Sequence, residues 1–127
     1  MGEMVVVLDD DDAMFDEVSK PLEDAGYLVL PLSTAEGLVN ELKETQAAAL
    51  LLDLQTEALT AGLEVLTQIE QDDELGSLSV LVYSADARQL QEVAPRLRAR
   101  GYGVLPKPLD IDEVLRWLRE CIGGAPR

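Results

Sequence analysis

The sequence predicts an α/β protein: a doubly wound, five-stranded parallel sheet in the order 2-1-3-4-5, covered by five helices. Three observations carry that expectation. Short apolar runs alternate strictly with segments of helical period, the signature of strand–helix–strand crossovers. The runs Met4-Val5-Val6-Val7-Leu8 and Ala47-Ala48-Ala49-Leu50-Leu51-Leu52 are continuously apolar, as strands covered on both faces are. Pro31 interrupts the second run and Pro106 follows the fifth, whereas the first, third and fourth hold no proline. Proline cannot donate to a ladder, so the second and fifth strands belong at the edges.

The elements follow in order. After the first strand, Asp12 is the expected N-cap of a helix running to about Asp24, with Phe15, Val18, Ser19 and Leu22 on one face. Pro21 lies inside it and should kink its last turns. Ala25-Gly26 reads as a helix end with glycine in a left-handed cap. The second strand spans Tyr27 to Leu32. Ser33 or Thr34 should cap a second helix carrying Leu38, Val39 and Leu42. The third strand ends on Asp53, and a loop from Leu54 to Ala61 precedes a helix opening at Gly62 with Leu66, Gln68 and Ile69 inward. Ser79 to Ser84 is the fourth strand. Asp86 to Arg98 is the fourth helix, with Leu90, Val93 and Leu97 at helical spacing and Pro95 as a weak point. Tyr102 to Leu105 is the fifth strand. Asp110 to Cys121 is the fifth helix, with Ile111, Val114, Leu115 and Leu118 inward, and residues 123–127 form a frayed tail. One domain over residues 1–127, with its core at about 4–122, accounts for the whole length.

In the order 2-1-3-4-5 the crevice opens between strands one and three, at their carboxyl ends. Strand one delivers Asp9 and Asp10 there and strand three delivers Asp53. Like charges a few ångströms apart oppose one another unless a cation neutralises them. Hard oxygen ligands in this number suit Mg²⁺, which takes one or two protein carboxylates. Asp11 and Asp12 are then expected in a solvated turn and cap. Ser84 at the end of strand four and Lys107 after strand five converge on the same crevice. A carboxylate nucleophile, Mg²⁺, an ammonium and a hydroxyl together make a site for in-line phosphoryl transfer onto an aspartate.

Composition narrows the rest. With 47% hydrophobic residues the chain has ample material for a core, and no run approaches membrane-spanning length. The absence of histidine removes His-based metal sites and Ser/His or Cys/His catalysis. A net charge of −15 argues against direct binding to nucleic acid or an anionic membrane. The first 75 residues hold 19 acidic and two basic groups, the remainder six and eight, so partner contacts should differ between the halves. The single Cys121 excludes an internal disulfide and, with no basic n-region after Met1, fits a cytoplasmic location.

Val7-Leu8-Asp9-Asp10, Leu52-Asp53, Ser84-Ala85 and Lys107-Pro108 together resemble the four signatures of two-component receiver domains, over about residues 4 to 122. The resemblance implies the flavodoxin-like fold and a phosphorelay function. Asp53 then matches the phosphoacceptor, and Asp9 and Asp10 match the acidic pair that holds Mg²⁺, Asp10 more directly. The backbone carbonyl of Gln55 matches the third protein ligand. Ser84 matches the residue that hydrogen-bonds the phosphoryl group, and Lys107 its ion-pairing lysine. A cis bond is implied before Pro108. The implied donor is the phosphohistidine of a sensor histidine kinase or a phosphotransfer protein, and the implied chemistry is self-phosphorylation and autodephosphorylation at Asp53. The implied receiver of the signal is a separate effector protein. A homodimer through helix four, strand five and helix five is a further implied contact, where Arg88, Arg96, Arg98, Arg100, Arg116 and Arg119 cluster.

Two features depart from the family pattern. The loop Gln55-Thr56-Glu57-Ala58-Leu59-Thr60-Ala61-Gly62 lacks proline and is one residue longer than usual, and Val104 stands where the family has its switch aromatic. Two alternatives compete. A haloacid-dehalogenase-like phosphatase would use Asp9-Asp10-Asp11, place the aspartyl phosphate on Asp9 and leave Asp53 without a role. A pseudo-receiver would bind partners without phosphorylation.

Overall fold

A computed structural model of the chain describes residues 2–34, 36–54 and 59–122. Five parallel strands, β1 (Met4–Leu8), β2 (Leu28–Leu32), β3 (Ala49–Asp53), β4 (Ser79–Ser84) and β5 (Gly103–Pro106), form one sheet ordered β2-β1-β3-β4-β5. The order is the one the prolines imply. Pro31 sits on the exposed edge strand β2, paired with Val7, and Pro106 ends edge strand β5, paired with Ser84. β3 lies in the centre, and all five of its residues are buried.

Five helices cover the sheet: α1 (Asp12–Asp24), α2 (Leu38–Glu44), α3 (Leu59–Glu70), α4 (Ala87–Ala99) and α5 (Ile111–Ile122). Side chains alternate along each strand, which divides the core into two layers. Val6, Leu8, Leu50, Leu52, Val80, Val82 and Val104 face one way and meet Leu38, Leu42, Leu66, Leu90 and Leu97 from α2, α3 and α4. Val5, Val7, Leu51, Leu81 and Tyr83 face the other way and meet Val18 and Leu22 of α1 and Val114 and Leu118 of α5.

Several boundaries differ from the sequence expectation, each for a local reason. Asp11, not Asp12, caps α1: its backbone is extended and its carboxylate accepts the Ala13 N–H at 3.0 Å. Met14 is buried on the α1 face, while Ser19 is only half-buried. Pro21 does not end the helix, which continues to Asp24. Its position in the last turns costs a single N–H, and its own carbonyl still accepts from Ala25 at 3.1 Å. Gly26 takes the left-handed conformation expected of it, at φ 100. Tyr27 lies outside β2, with its N–H turned back to the Leu22 carbonyl and its ring in the core.

Neither Ser33 nor Thr34 caps α2. Gly37, at φ 75, precedes its first residue, and the Thr34 hydroxyl accepts from Glu36 instead. α3 begins at Leu59, within the segment read as loop, because Leu59-Thr60-Ala61 contains no helix breaker. Val65 takes the inward position expected of Gln68, which is exposed. The acidic run after α3 forms a one-turn 3-10 helix at Asp73–Leu75, capped by Asp72. The expected frayed tail at 123–127 lies outside the described residues.

Edge strand β5 depends on a glycine. A Cβ at Gly103 would stand 2.6 Å from Trp117 Nε1 and 2.7 Å from Leu81 Cδ1. Gly103→Ala should therefore push the indole off β5 and destabilise the fold by about 1–2 kcal/mol through overpacking. Urea unfolding gives the stability change, and a red shift of Trp117 emission in the folded variant reports the displaced ring.

Candidate functional site

The strand register builds the site. Leu8 pairs with Leu52, and Asp53 pairs with Tyr83. The two-residue repeat then sends Asp9, Asp53, Tyr83 and Lys107 to one face of the sheet, above the layer formed with α1 and α5. All four stand at or just beyond carboxyl ends of parallel strands. The main chain is pinned close by: Asp9 N–H donates to the Leu32 carbonyl, Leu54 N–H to the Tyr83 carbonyl and Lys107 N–H to the Ser84 carbonyl.

Asp9 and Asp53 are buried, and Asp10 is exposed. Ligand oxygens of the three lie within 4.8 Å of one another, the one grouping of this kind among the described residues. Two buried carboxylates so close need compensation. Lys107 supplies it, its Nζ standing 3.2 Å from Asp9 Oδ2 and 3.2 Å from Asp53 Oδ2. Burial acts to lower the ammonium's pKa, but Asp53 and Asp9 outweigh it, and the net shift is upward. Lys107 is followed by a cis bond to Pro108, as the resemblance implies.

Asp9 is held on both oxygens. Oδ1 accepts the Asp11 N–H at 2.8 Å, and Oδ2 accepts the Tyr83 hydroxyl at 2.9 Å as well as facing Lys107. The Tyr83 ring lies beneath the ammonium, with Nζ 5.4 Å from its centroid. Burial, and then the charge of Asp9, push the Tyr83 phenol far above its ordinary pKa, so it remains a neutral donor. The sequence reading placed Tyr83 only within the fourth strand. Strand parity with Leu81 carried the missing signal, because a tyrosine buried at a strand end beside two aspartates needs a partner for its hydroxyl.

Ser84 is buried, and on β4 it alternates away from Tyr83. Its Oγ accepts the Asp86 N–H at 3.0 Å, and Asp86 in turn caps α4 by accepting from the Gln89 N–H. Gln55 lies outside the described residues. The structure thus brings Asp9, Asp10, Asp53 and Lys107 together, and ties Ser84 to the start of α4. The donor set fits a hard divalent cation such as Mg²⁺: clustered carboxylates, one of them exposed, and no softer ligand in the group.

The chain matches the family model for the response regulator receiver domain over residues 5–119. It is similar to the response regulator protein TodT of Pseudomonas putida, 23% identical over 98% of this chain and 53% of the relative. It thus spans about half the length of the curated relatives it matches. Among solved structures, a CheY-like response regulator receiver domain protein from Methanospirillum hungatei aligns with a TM-score of 0.78. That pair is 20% identical over 97% of this chain and 95% of the other. A response regulator from Thermotoga maritima aligns with a TM-score of 0.81, at 19% identity over 98% and 100% of the two chains.

The shared lysine gives a test of the electrostatics. Lys107→Met should remove the ammonium that faces the buried carboxylates of Asp9 and Asp53 and cost about 3 kcal/mol of stability in metal-free buffer. A divalent cation that enters the cluster stabilises the folded state by mass action. The rise in melting temperature on adding Mg²⁺ should therefore be larger in Lys107→Met than in the parent protein.

Proposed function

The chain belongs to the response regulator receiver domain family of two-component signalling, and from that membership we propose that it is a phosphoacceptor switch whose acceptor is Asp53. The observation that carries the reading is the pairing of buried Asp53 with both Lys107 and the Asp9–Asp10 cluster at the sheet's carboxyl edge. We take residues 1–127 as one receiver unit that works in the cytoplasm.

The donor is a phosphohistidine on a sensor histidine kinase or a phosphotransfer protein. An Asp53 carboxylate oxygen attacks phosphorus, the P–N bond to imidazole breaks, and the imidazole leaves as the new P–O bond forms. Asp10 and Asp53 would hold Mg²⁺ with Asp9 beside them, and the family resemblance would add the backbone carbonyl of Gln55. Bound Mg²⁺ supplies positive charge against the phosphoryl oxygens. Lys107 is already within reach of Asp53 Oδ2 and turns to a phosphoryl oxygen as the charge moves outward. Ser84 accepts the Asp86 N–H through a lone pair, which leaves its hydroxyl proton available for donation to the phosphoryl group.

The phosphatase alternative, with the acceptor at Asp9, is not favoured. Both Asp9 oxygens already accept hydrogen bonds, and a nucleophile held by three donors is a poor one. The output is altered binding to an effector protein, through the face of α4, β5 and α5 where the arginines cluster. The same face serves a second copy of the chain if the switch dimerises. Among the described residues no helix is long and apolar enough to cross a membrane.

Two measurements test the reading. With Mg²⁺ and acetyl phosphate, mass spectrometry should find one phosphate on Asp53 and none in Asp53→Asn. Undiminished labelling of that variant would sink the mechanism. The second concerns the switch. Val104 has no ring to swing, and the Tyr102 hydroxyl is tied to Glu70 at the end of α3. Crystal structures with and without beryllofluoride should differ at residues 84–88 and in α4, with Tyr102 keeping its rotamer. A large Tyr102 rotation coupled to Ser84 would contradict this.

A further inference from the structure

Tyr83 occupies the middle of the site without any role in the phosphoryl transfer described above. Its ring is fully buried on the α1–α5 face of the sheet, and its hydroxyl reaches one atom, Asp9 Oδ2, at 2.9 Å. That same oxygen faces Lys107 Nζ at 3.2 Å, while Oδ1 accepts the Asp11 N–H. Each carboxylate oxygen offers two lone-pair directions. The Tyr83 hydrogen bond and the Lys107 ion pair both fall on Oδ2, so Oδ1, with one hydrogen bond, is the less occupied oxygen for a cation.

We propose that Tyr83 is a positioning residue for the metal site: its hydroxyl fixes the Asp9 carboxylate so that Oδ1 is presented to the cation cluster, and it keeps Oδ2 satisfied when Lys107 leaves for the phosphoryl group. The proposal rests on the metal-binding reading above and adds a residue that acts only through Asp9. Without the hydroxyl, Oδ2 would depend on Lys107 alone. The ammonium would then be held towards Asp9, or a buried anion would lose a donor each time Lys107 moved. Neither cost arises with a phenol, which is neutral, rigidly carried by a central strand and anchored by a ring that also packs under Lys107.

The test is a double-mutant cycle on Mg²⁺ affinity, measured by calorimetry on the full chain without any phosphodonor. Tyr83→Phe keeps the ring and removes the one hydrogen bond, and circular dichroism establishes that it folds. Tyr83→Met is the second variant without a hydroxyl and is read in the same way. Loss of a partner that orients a metal-binding carboxylate weakens binding by about tenfold, and that is the expected change in the Mg²⁺ dissociation constant. In an Asp9→Ala background the same substitution should change the dissociation constant by less than about twofold, because its only route is gone. A general disturbance of the fold would persist in both backgrounds. An affinity unchanged in Tyr83→Phe, or a tenfold loss that survives in Asp9→Ala, overturns the positioning role and leaves the phosphoacceptor reading standing. Absence of Mg²⁺ binding in the parent protein overturns both.

Discussion

The Lys107 ammonium between Asp9 and Asp53 is the interaction on which the rest of the structure depends. A fold that places two carboxylates at neighbouring strand ends and then covers them must balance their charge or lose stability. Lys107 balances both with one group, because β5 delivers it from the far side of β4 at matching height. This arrangement explains the order of the sheet as much as the sheet explains it. Asp9 and Asp53 require β1 beside β3, and the lysine requires a strand two places away whose chain continues past the edge.

Much of this architecture was legible in the sequence, and the reasons are physical. Continuous apolar runs identified β1 and β3 because a parallel sheet buries both faces. Two prolines identified the edges because a missing N–H is tolerated only there. Strand-end acidic and basic residues identified the crevice. The parts that escaped reading were those decided by competition among equivalent local choices. Asp11 and Asp12 are equally good caps by type, and only the path of the chain out of β1 selected Asp11. Ser33 and Thr34 have the right chemistry for a cap, but α2 starts later behind a left-handed Gly37 that no sequence rule placed. Tyr83 reads in the sequence only as a strand residue, and its ring is part of the core. Its second role depends on which atom of Asp9 lies opposite, a tertiary fact.

On the opposite face of the sheet a second polar cluster ties β5 and the end of α4 to α3. Glu70, the last residue of α3, receives the Tyr102 hydroxyl and Arg100 Nη1, the latter at 3.1 Å. Burial, and then Glu70, raise the Tyr102 phenol above its ordinary pKa, so it too stays a donor. Tyr102 and Val104 point to the same side of β5, and the clasp holds the nearer ring at its polar tip. A ring held in that way is poorly suited to swing, and a valine beside it cannot. Movement that originates at Asp53, the proposed acceptor, would therefore leave along another route.

β4 supplies that route through its alternation. Tyr83 points to the carboxylates and Ser84 to the other face, so successive residues of one strand read the site and address a helix. Ser84 Oγ holds the Asp86 N–H, and the Asp86 carboxylate holds the Gln89 N–H that begins α4. A Ser84 hydroxyl drawn towards new negative charge gains a charge-assisted hydrogen bond. Displacement of its oxygen strains or breaks the bond to Asp86, and Asp86 is the cap on which the first turn of α4 depends. The ends of that helix differ in how firmly they are held. Its N-terminus is capped through this relay, whereas its C-terminus runs into the Arg100–Glu70 pair. On the proposed function, disturbance at Ser84 would therefore pivot or fray α4 from its first turn. The surface carrying Arg88, near the relay, would then change most, and the surface around Arg98 and Arg100 least.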